Sequence, residues 1–512
     1  MNPASLFYIG LAVIGTISLR IGLYRLFEKA GEKGWKAFIP VYSDLIWLKL
    51  IGKPVWWLIF TLIPVARTLV KISMEIELAK AFGKYTFGQQ ALAVIFPFIY
   101  FPYLGFKPET QYVGDIAKKE PPKGAVREWA DAFLFAGVAA LIIRTFFLEA
   151  FMIPTSSMER TLLAGDFLFV SKFHYGPRMP MIPLSVPFVH NKIKLGGEAF
   201  PSYLNWIQLP YWRAFGLRDI RRNDIVVFNY PAHDVHDLGN GKVKEISMKE
   251  NYIKRCVAIP GDILEVKRGE LYINGAHSDD PENMQYSYMV KTDGSRFSQK
   301  RLSQFGFRAP LPEQQNKNYQ PINDVRGFYS MYYPNSKVVN MVEGMEQNEF
   351  LYAFWMTGDI EKVIRSYPYV KAVDTILYDA SEPMVNIFPG DPKNFPFNRD
   401  NFGPMEVPQK GKTVTLTASN YKMFERIIGV YEKHDFKVQN GGFYIDGEKA
   451  DTYTFEMDYF FMMGDNRHNS EDSRFWGFVP ENHIVGRPLI VFFSIEKEFG
   501  IRWSRMGTKY TH

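Results

Sequence analysis

Residues 129–173 read WADAFLFAGVAALIIRTFFLEAFMIPTSSMERTLLAGDFLFVSKF, and within that stretch the chain passes from an apolar solvent to an aqueous one. Ala132 to Ile143 carry no charge, and Asp131 and Arg144 stand near the ends, where charged heads reach lipid headgroups. Trp129 to Leu148 is therefore predicted to span a membrane. Gly165 to Phe173 reads as a strand, an aromatic and aliphatic run opened by a glycine. Between the two lies Ile153-Pro154-Thr155-Ser156-Ser157-Met158-Glu159-Arg160-Thr161-Leu162, whose proline and hydroxyls break both patterns.

Upstream, Met1 to Leu19 and Tyr85 to Phe106 are uncharged and long enough for membrane helices. Pro54 to Ala66 is shorter and fits a re-entrant piece as readily as a span. Basic residues in short loops mark the cytoplasmic side. With four spans, the first and third loops hold twelve Lys and Arg inside against four outside; with residues 54–70 re-entrant, eleven basic residues would lie outside. The expectation is four spans with the N-terminus outside, three of them in residues 1–107, then a basic cytoplasmic loop over 108–128 and the anchor at 129–148. In either arrangement Leu148 emerges on the outer face. The N-terminal stretch has neither a basic leader nor a small-residue cleavage site, so removal as a signal peptide is not expected.

Downstream, runs at 165–173, 223–231, 251–266, 269–275, 412–418, 441–448 and 487–494 are punctuated by Gly, Pro and Asn, the mark of a mostly β soluble domain. It is predicted to occupy 149–275 and 411–500, split by a large α+β or irregular insertion at 276–410 with a helical piece near Met345 to Val363, and followed by a tail at 501–512. The 60 Lys and Arg against 54 Asp and Glu leave a net charge of +6 over 512 residues, too dilute a field to gather nucleic acid. The one cysteine, Cys256, can close no intrachain disulfide.

Ser156-x-x-Glu159 fits a capping box, so the stretch at 153–162 reads on its own as a helix N-terminus. A second segment, Tyr252-Ile253-Lys254-Arg255, places a lysine inside an apolar strand pattern; alone it reads as an edge or snorkelling residue. Together the two suggest a serine nucleophile with a lysine base, which demands burial of the amine to lower its pKa. A third segment, Gly464 to Gly477, packs polar turn formers behind an apolar run; a calcium loop is rejected because Arg467 stands where an oxygen ligand is needed. Ser419-x-x-Lys422 has the spacing of penicillin-interacting enzymes without their companion motifs, and His233 and His236 read as a solvated loop.

With these three segments in order after a membrane span, the soluble part resembles the bacterial type I signal peptidases of the serine–lysine class. Pro154, Thr155, Ser157, Met158, Thr161, Leu162, Gly165 and Asp166 match the serine box; Tyr252 to Arg255 with Pro260-Gly261-Asp262 match the lysine box; Gly464 to Gly477 with Phe478-Val479-Pro480 match the C-terminal box. The departures are Arg160 where a proline is common, Thr155 where a serine often sits, and His468 where an aspartate is frequent. The resemblance implies Ser157 as nucleophile and Lys254 as base, with Ser157 N–H and the Thr155 hydroxyl on the oxyanion. It implies Ser470, Asp472, Arg474 and Arg255 as groups behind them, and Ile153, Pro154, Met158, Leu162, Tyr252 and Ile253 as walls of the substrate pockets. It implies no metal or cofactor, preproteins bearing signal peptides as substrates, the lipid bilayer and the secretion translocon as partners, and a multi-pass protein of the bacterial inner membrane with its catalytic domain on the extracytoplasmic face. A soluble self-cleaving repressor shares the chemistry but not the spans, and a membrane scaffold that binds through the insertion is the reading that needs no catalysis. Nine residues from Leu148 to Ser157 extend at most about 30 Å, which holds the nucleophile near the bilayer.

Overall fold

The computed structural model describes residues 3–61, 64–114, 124–186, 189, 192–195, 198–232, 245–305, 319–321, 346, 348–496 and 500–510. The chain forms two units: Met1–Leu148 with Arg178–Val189 and Leu204–Ala214, and Glu149–Pro177 with His190–Tyr203 and Phe215–His512.

The first unit is helical. Its opening helix, Pro3–Lys29, runs on past the expected apolar span through Arg20 and Arg25. Among the described residues, Leu6–Lys29 is the helix long and apolar enough to cross a bilayer; a bent pair, Phe87–Ile95 and Pro97–Phe106, passes the same test if counted as one. The expected span at 85–106 is thus not a straight rod but two helices with a bend of 118° between them. Proline 97 has no N–H to continue the ladder, and its ring keeps Phe96 out of the helical region, at φ −130° and ψ 53°. Residues 54–66 hold one helical turn, Trp57–Phe60, and the start of the helix Pro64–Ala81. A 22-residue helix, Ala125–Phe146, precedes the second unit.

Leu23, Leu26 and Phe27 of the opening helix pack with Trp47, Met74, Leu78, Phe101 and Leu104 in one buried cluster. Trp47 Nε1 donates to Met74 O at 3.1 Å, satisfying the indole inside it. Helices Pro3–Lys29 and Pro97–Phe106 touch backbone to backbone: a Cβ on Gly22 would stand 2.5 Å from Pro102 N, and one on Gly105 3.0 Å from Gly22 O.

The second unit is mostly β, as its alternating runs predict. Its largest sheet has the order Leu148–Met152, Asp166–Ser171, Ile484–Glu496, Ile225–Asn229, Asn251–Ala258, Tyr459–Met463, Val479–Pro480, with Gly500–Ile501 paired to the long strand. Asn251–Ala258, the lysine strand, lies between Ile225–Asn229 and Tyr459–Met463, with Val226 opposite Lys254 and Met463 opposite Arg255. Both neighbours are five-residue strands buried throughout, apolar apart from Asn229, so a lysine in this strand is cut off from water. A smaller sheet pairs Phe402–Glu406, Ile263–Lys267, Glu270–Ile273 and Ala276–His277. The last two are joined by Asn274-Gly275 at φ 54° and 80°, the left-handed pair a two-residue hairpin requires.

Among its described residues the insertion holds regular elements that its polar composition does not suggest. Tyr319–Pro321, Phe350–Met356, Tyr286–Thr292 and Val370–Thr375 form an antiparallel sheet, with the helix Gly358–Arg365 after Phe350–Met356. Where a helix near 345–363 is expected, FLYAFWM is a strand and the helix begins after it: the aromatic run buries alternate faces against Val290, Leu302 and Val373.

Gly22→Leu should separate the two helices and lower the melting temperature of the detergent-solubilised chain, by an overpacking cost of about 1–3 kcal/mol. Gly10→Leu, whose Cβ meets nothing within 4 Å, should leave the melting temperature unchanged.

Candidate active site

The stretch at 153–162 is not the helix N-terminus that its capping box suggests. Glu159 N bonds to Ser156 O at 3.0 Å and Leu162 N to Met158 O at 2.7 Å, but Arg160 sits at φ 70°, a left-handed conformation that stops a helix. The result is a tight loop between two strands, tied at its neck by Ile153 N to Asp166 O at 2.9 Å and Gly165 N to Ile153 O at 2.8 Å. Gly165, at φ 88°, permits the closure; a Cβ there would stand 2.0 Å from Ile495 O.

This loop holds Ser157 against the lysine strand. Lys254 Nζ lies 2.7 Å from Ser157 Oγ and 3.1 Å from Ile253 O. Lys254 is 3% exposed, and burial pulls its pKa down to about 8, against the opposing pull of Asp472, Glu471 and Asp465. The ring of Tyr252 lies 5.4 Å from the amine. The alternative readings of an edge or snorkelling lysine are excluded, because the amine is at the buried end. Thr155 Oγ1 is 3.5 Å from Ser157 Oγ, with Thr155 itself exposed.

The third segment forms the floor. Asn466 N donates to Ser157 O at 3.1 Å, Asn466 Nδ2 to Ser156 O at 3.2 Å, and Asn469 Nδ2 to Ser156 Oγ at 2.8 Å. Asp465 accepts from Thr161 Oγ1 at 2.6 Å and from Arg255 through Nε at 2.7 Å and Nη2 at 2.6 Å, so one buried carboxylate joins all three segments. Asp472 is fully buried; burial alone would raise its pKa, but Arg474, held at 2.9 and 2.8 Å, the Gly464 N–H and Ser470 keep it below the ordinary carboxylate value. Gly464 has no room for a side chain, since a Cβ would meet Ser470 Oγ at 2.3 Å and Ser157 O at 2.6 Å.

The residues expected behind the pair sort differently from their sequence reading. Arg255 and Arg474 spend their guanidinium groups on Asp465 and Asp472, and Ser470 lies by Asp472 with no hydrogen bond to Lys254. Of the expected pocket walls, Pro154 is exposed and Tyr252 half-buried, whereas Met158 and Leu162 are 0% exposed and pack with Ile153, Ile253, Leu168 and Val227. Met158 and Leu162 therefore shape the loop from behind and offer a substrate no surface. Cys256 is fully buried with its thiol pKa raised by burial, a small inert group. Ser419 bonds to Thr417 and Lys422 to Glu425 on the surface. His233 and His236 lie outside the described residues.

Sequence reasoning assigned no role to Asp465, Asn466 or Asn469, although the box Gly464-Asp465-Asn466 was in view; a run of polar turn formers shows that bonds will form, not with which partners. It also missed Asp400. His468 is buried, with Nδ1 accepting from Ser287 N–H at 3.0 Å and Nε2 on Asp400 Oδ1 at 2.9 Å. Burial lowers the His468 pKa, and both nitrogens are occupied, so the ring holds no free lone pair for Ser157.

The family model described as "Signal peptidase, peptidase S26" matches residues 126–322 and 406–493, and that of a family of unknown function (DUF5684) matches residues 35–115. Among curated proteins, the Signal peptidase I of Buchnera aphidicola subsp. Baizongia pistaciae is 24% identical over 382 residues, 73% of this chain and 80% of its own length. That of Helicobacter pylori is 24% identical over 391 residues, 72% and 88% of the two chains, and that of Rickettsia massiliae 28% over 231 residues, 45% and 70%.

The neutral amine is the form of Lys254 that can accept a proton, so acylation of Ser157 by a serine-directed probe should rise with pH through about 8. Lys254→Arg should be inert at every pH, since a guanidinium does not deprotonate in a protein. A limb at about 6.5, the ordinary histidine value, that disappears in His468→Ala would transfer the base role to His468.

Proposed function

The chain belongs to the signal peptidase family, peptidase S26, and from that premise we propose that Ser157 and Lys254 perform the cleavage. The protein is a serine endopeptidase that removes signal peptides from exported preproteins. The observation that carries the residue assignment is the 2.7 Å approach of a desolvated lysine amine to a serine hydroxyl.

In this mechanism the Ser157 hydroxyl donates its hydrogen bond to neutral Lys254. Oγ attacks the carbonyl carbon of the scissile bond as its proton passes to Nζ, and the carbonyl oxygen takes up the electron pair. Ser157 N–H and the Thr155 hydroxyl stabilise that oxyanion. The protonated Lys254 then gives its proton to the leaving amine, the C–N bond breaks, and an ester to Ser157 remains. Water attacks the ester with Lys254 again as base, which frees the signal peptide's new carboxyl terminus and restores the serine. Asp472, Glu471 and Asp465 limit how far burial lowers the lysine pKa, leaving it near the pH at which a base is most effective.

The enzyme works at the extracytoplasmic face of a bacterial inner membrane, crossing it several times with its N-terminus outside. What supports this is the apolar helix Leu6–Lys29, the helix Ala125–Phe146 before the serine loop and the distribution of basic loop residues. A signal peptide's apolar segment occupies the same bilayer, so tethering raises the effective concentration of its cleavage site. The translocon that delivers preproteins is the expected neighbour.

Ser157→Ala and Lys254→Ala should each reduce processing of an exported precursor to below about a thousandth of the wild-type rate, because the two act as one unit. Gel analysis with N-terminal sequencing of the product checks this; a few per cent of wild-type turnover in either variant refutes the pair. Small residues at the first and third positions before the cut should be preferred, and efficient cleavage after an aromatic at the first would show that Pro154 and Tyr252 are not its walls.

A further inference from the structure

The insertion grips the catalytic loop and turn by hydrogen bonds at several points. Gln285 N donates to Asp465 O at 2.8 Å and Arg467 N to Gln285 O at 2.9 Å, so the residue just before the strand Tyr286–Thr292 is bridged to the catalytic turn. Ser287 N–H and the Asp400 carboxylate hold the two nitrogens of His468, and both side chains of that pair are 0% exposed. Arg399 Nη1 donates to His468 O at 3.3 Å, Arg474 Nη1 to Arg399 O at 3.1 Å, and Phe388 N to Arg474 O at 2.9 Å. On the serine side, Arg160 Nη2 donates to Phe305 O, also in the insertion. Arg160 and His468 are two of the three positions at which the boxes depart from the family pattern, and both spend their side chains on the insertion.

We infer that the insertion is a working part of the active site, and that Asp400 is a positioning residue that acts through His468 to hold the turn carrying Glu471 and Asp472 against Lys254. A backbone N–H can only donate, so Nδ1 accepts and the ring proton lies on Nε2, aimed at Asp400. Asp400 stays ionised, with a pKa of about 2: burial alone would raise it, but His468, Arg399 and the Tyr378 N–H lower it. The pair therefore keeps one protonation state through the working pH range and acts as a fixed strut. Loss of Asp400 leaves a buried N–H without an acceptor and frees the turn on one side. The groups facing Lys254 are Asp472, Glu471 and Asp465 on that turn, Tyr252 on its own strand and Ser157 on the loop. Retreat of the turn weakens the attraction of the three carboxylates for the ammonium and lets burial dominate.

The inference rests on the Ser157 and Lys254 assignment, and the test uses the full-length enzyme with Ser157→Ala alongside. Asp400→Ala should lower kcat for a precursor about 10- to 100-fold, the scale of a displacement of about 1 Å, while KM changes by less than about threefold and the limb on which kcat/KM rises with pH moves to lower pH. A cycle of Asp400→His, His468→Asp and the double exchange covers the case in which Asp400→Ala fails to fold. Each single exchange should be slow and the double should recover at least tenfold over either, because an aspartate at 468 accepts from Ser287 N–H and from the new histidine. A normal kcat with an unmoved limb in Asp400→Ala, or a double exchange no better than the singles, overturns the inference. A loss of rate that follows the melting temperature with the limb unmoved also overturns it, since that is what a merely structural insertion gives. An active Ser157→Ala would instead overturn the catalytic assignment itself.

Discussion

Everything in the second unit answers to one constraint: a lysine amine has to be kept out of water yet within reach of a serine. Isolated burial of a charged amine is so unfavourable that the group gives up its proton instead, and that is the state a base requires. Lys254 meets the constraint from the middle of a sheet, flanked by Ile225–Asn229 and Tyr459–Met463, both buried along their whole length. The residue beside it, Arg255, points the other way, as strand alternation dictates, and its charge is neutralised by Asp465. One strand thus holds two basic side chains in opposite electrostatic regimes.

The second regime is what positions the first. Asp465 and Asp472 are each 0% exposed and each bound to an arginine, and a buried ion pair of this kind contributes less to stability than its short distances suggest. Its geometric effect is larger. Asp465 joins the serine loop through Thr161, the lysine strand through Arg255 and the insertion through the Gln285 backbone, so the three segments cannot shift independently. Breaking such a network strands a charge in the interior, which makes a slightly displaced turn costly and keeps Ser157 and Lys254 at a fixed separation.

The helical unit follows a different rule. Its tightest contact is made by the absence of side chains, Gly22 and Gly105 letting two backbones meet, while the break at Phe96–Pro97 turns one apolar run into two helices. Neither glycine carries a side chain to hold the two backbones apart. The match of residues 35–115 to a family of its own sets this unit apart from the protease that follows.

Patterns that depend on near neighbours were legible in the sequence. The strand runs of the second unit and the order of the serine, lysine and C-terminal segments rest on side-chain type and short spacing. The break at Pro97 was equally local, and a reading by charge alone passed over it. The sequence could not show that Ser157 and Lys254, 97 positions apart, lie 2.7 Å from one another. Nor could it show that Met158 and Leu162 are core rather than pocket, that a polar insertion closes an aromatic core of its own, or that His468 bonds to Asp400. Those outcomes depend on desolvation and on partners far away along the chain. A lysine pKa, a histidine tautomer and a carboxylate's charge are properties of an environment, and only the folded chain supplies one.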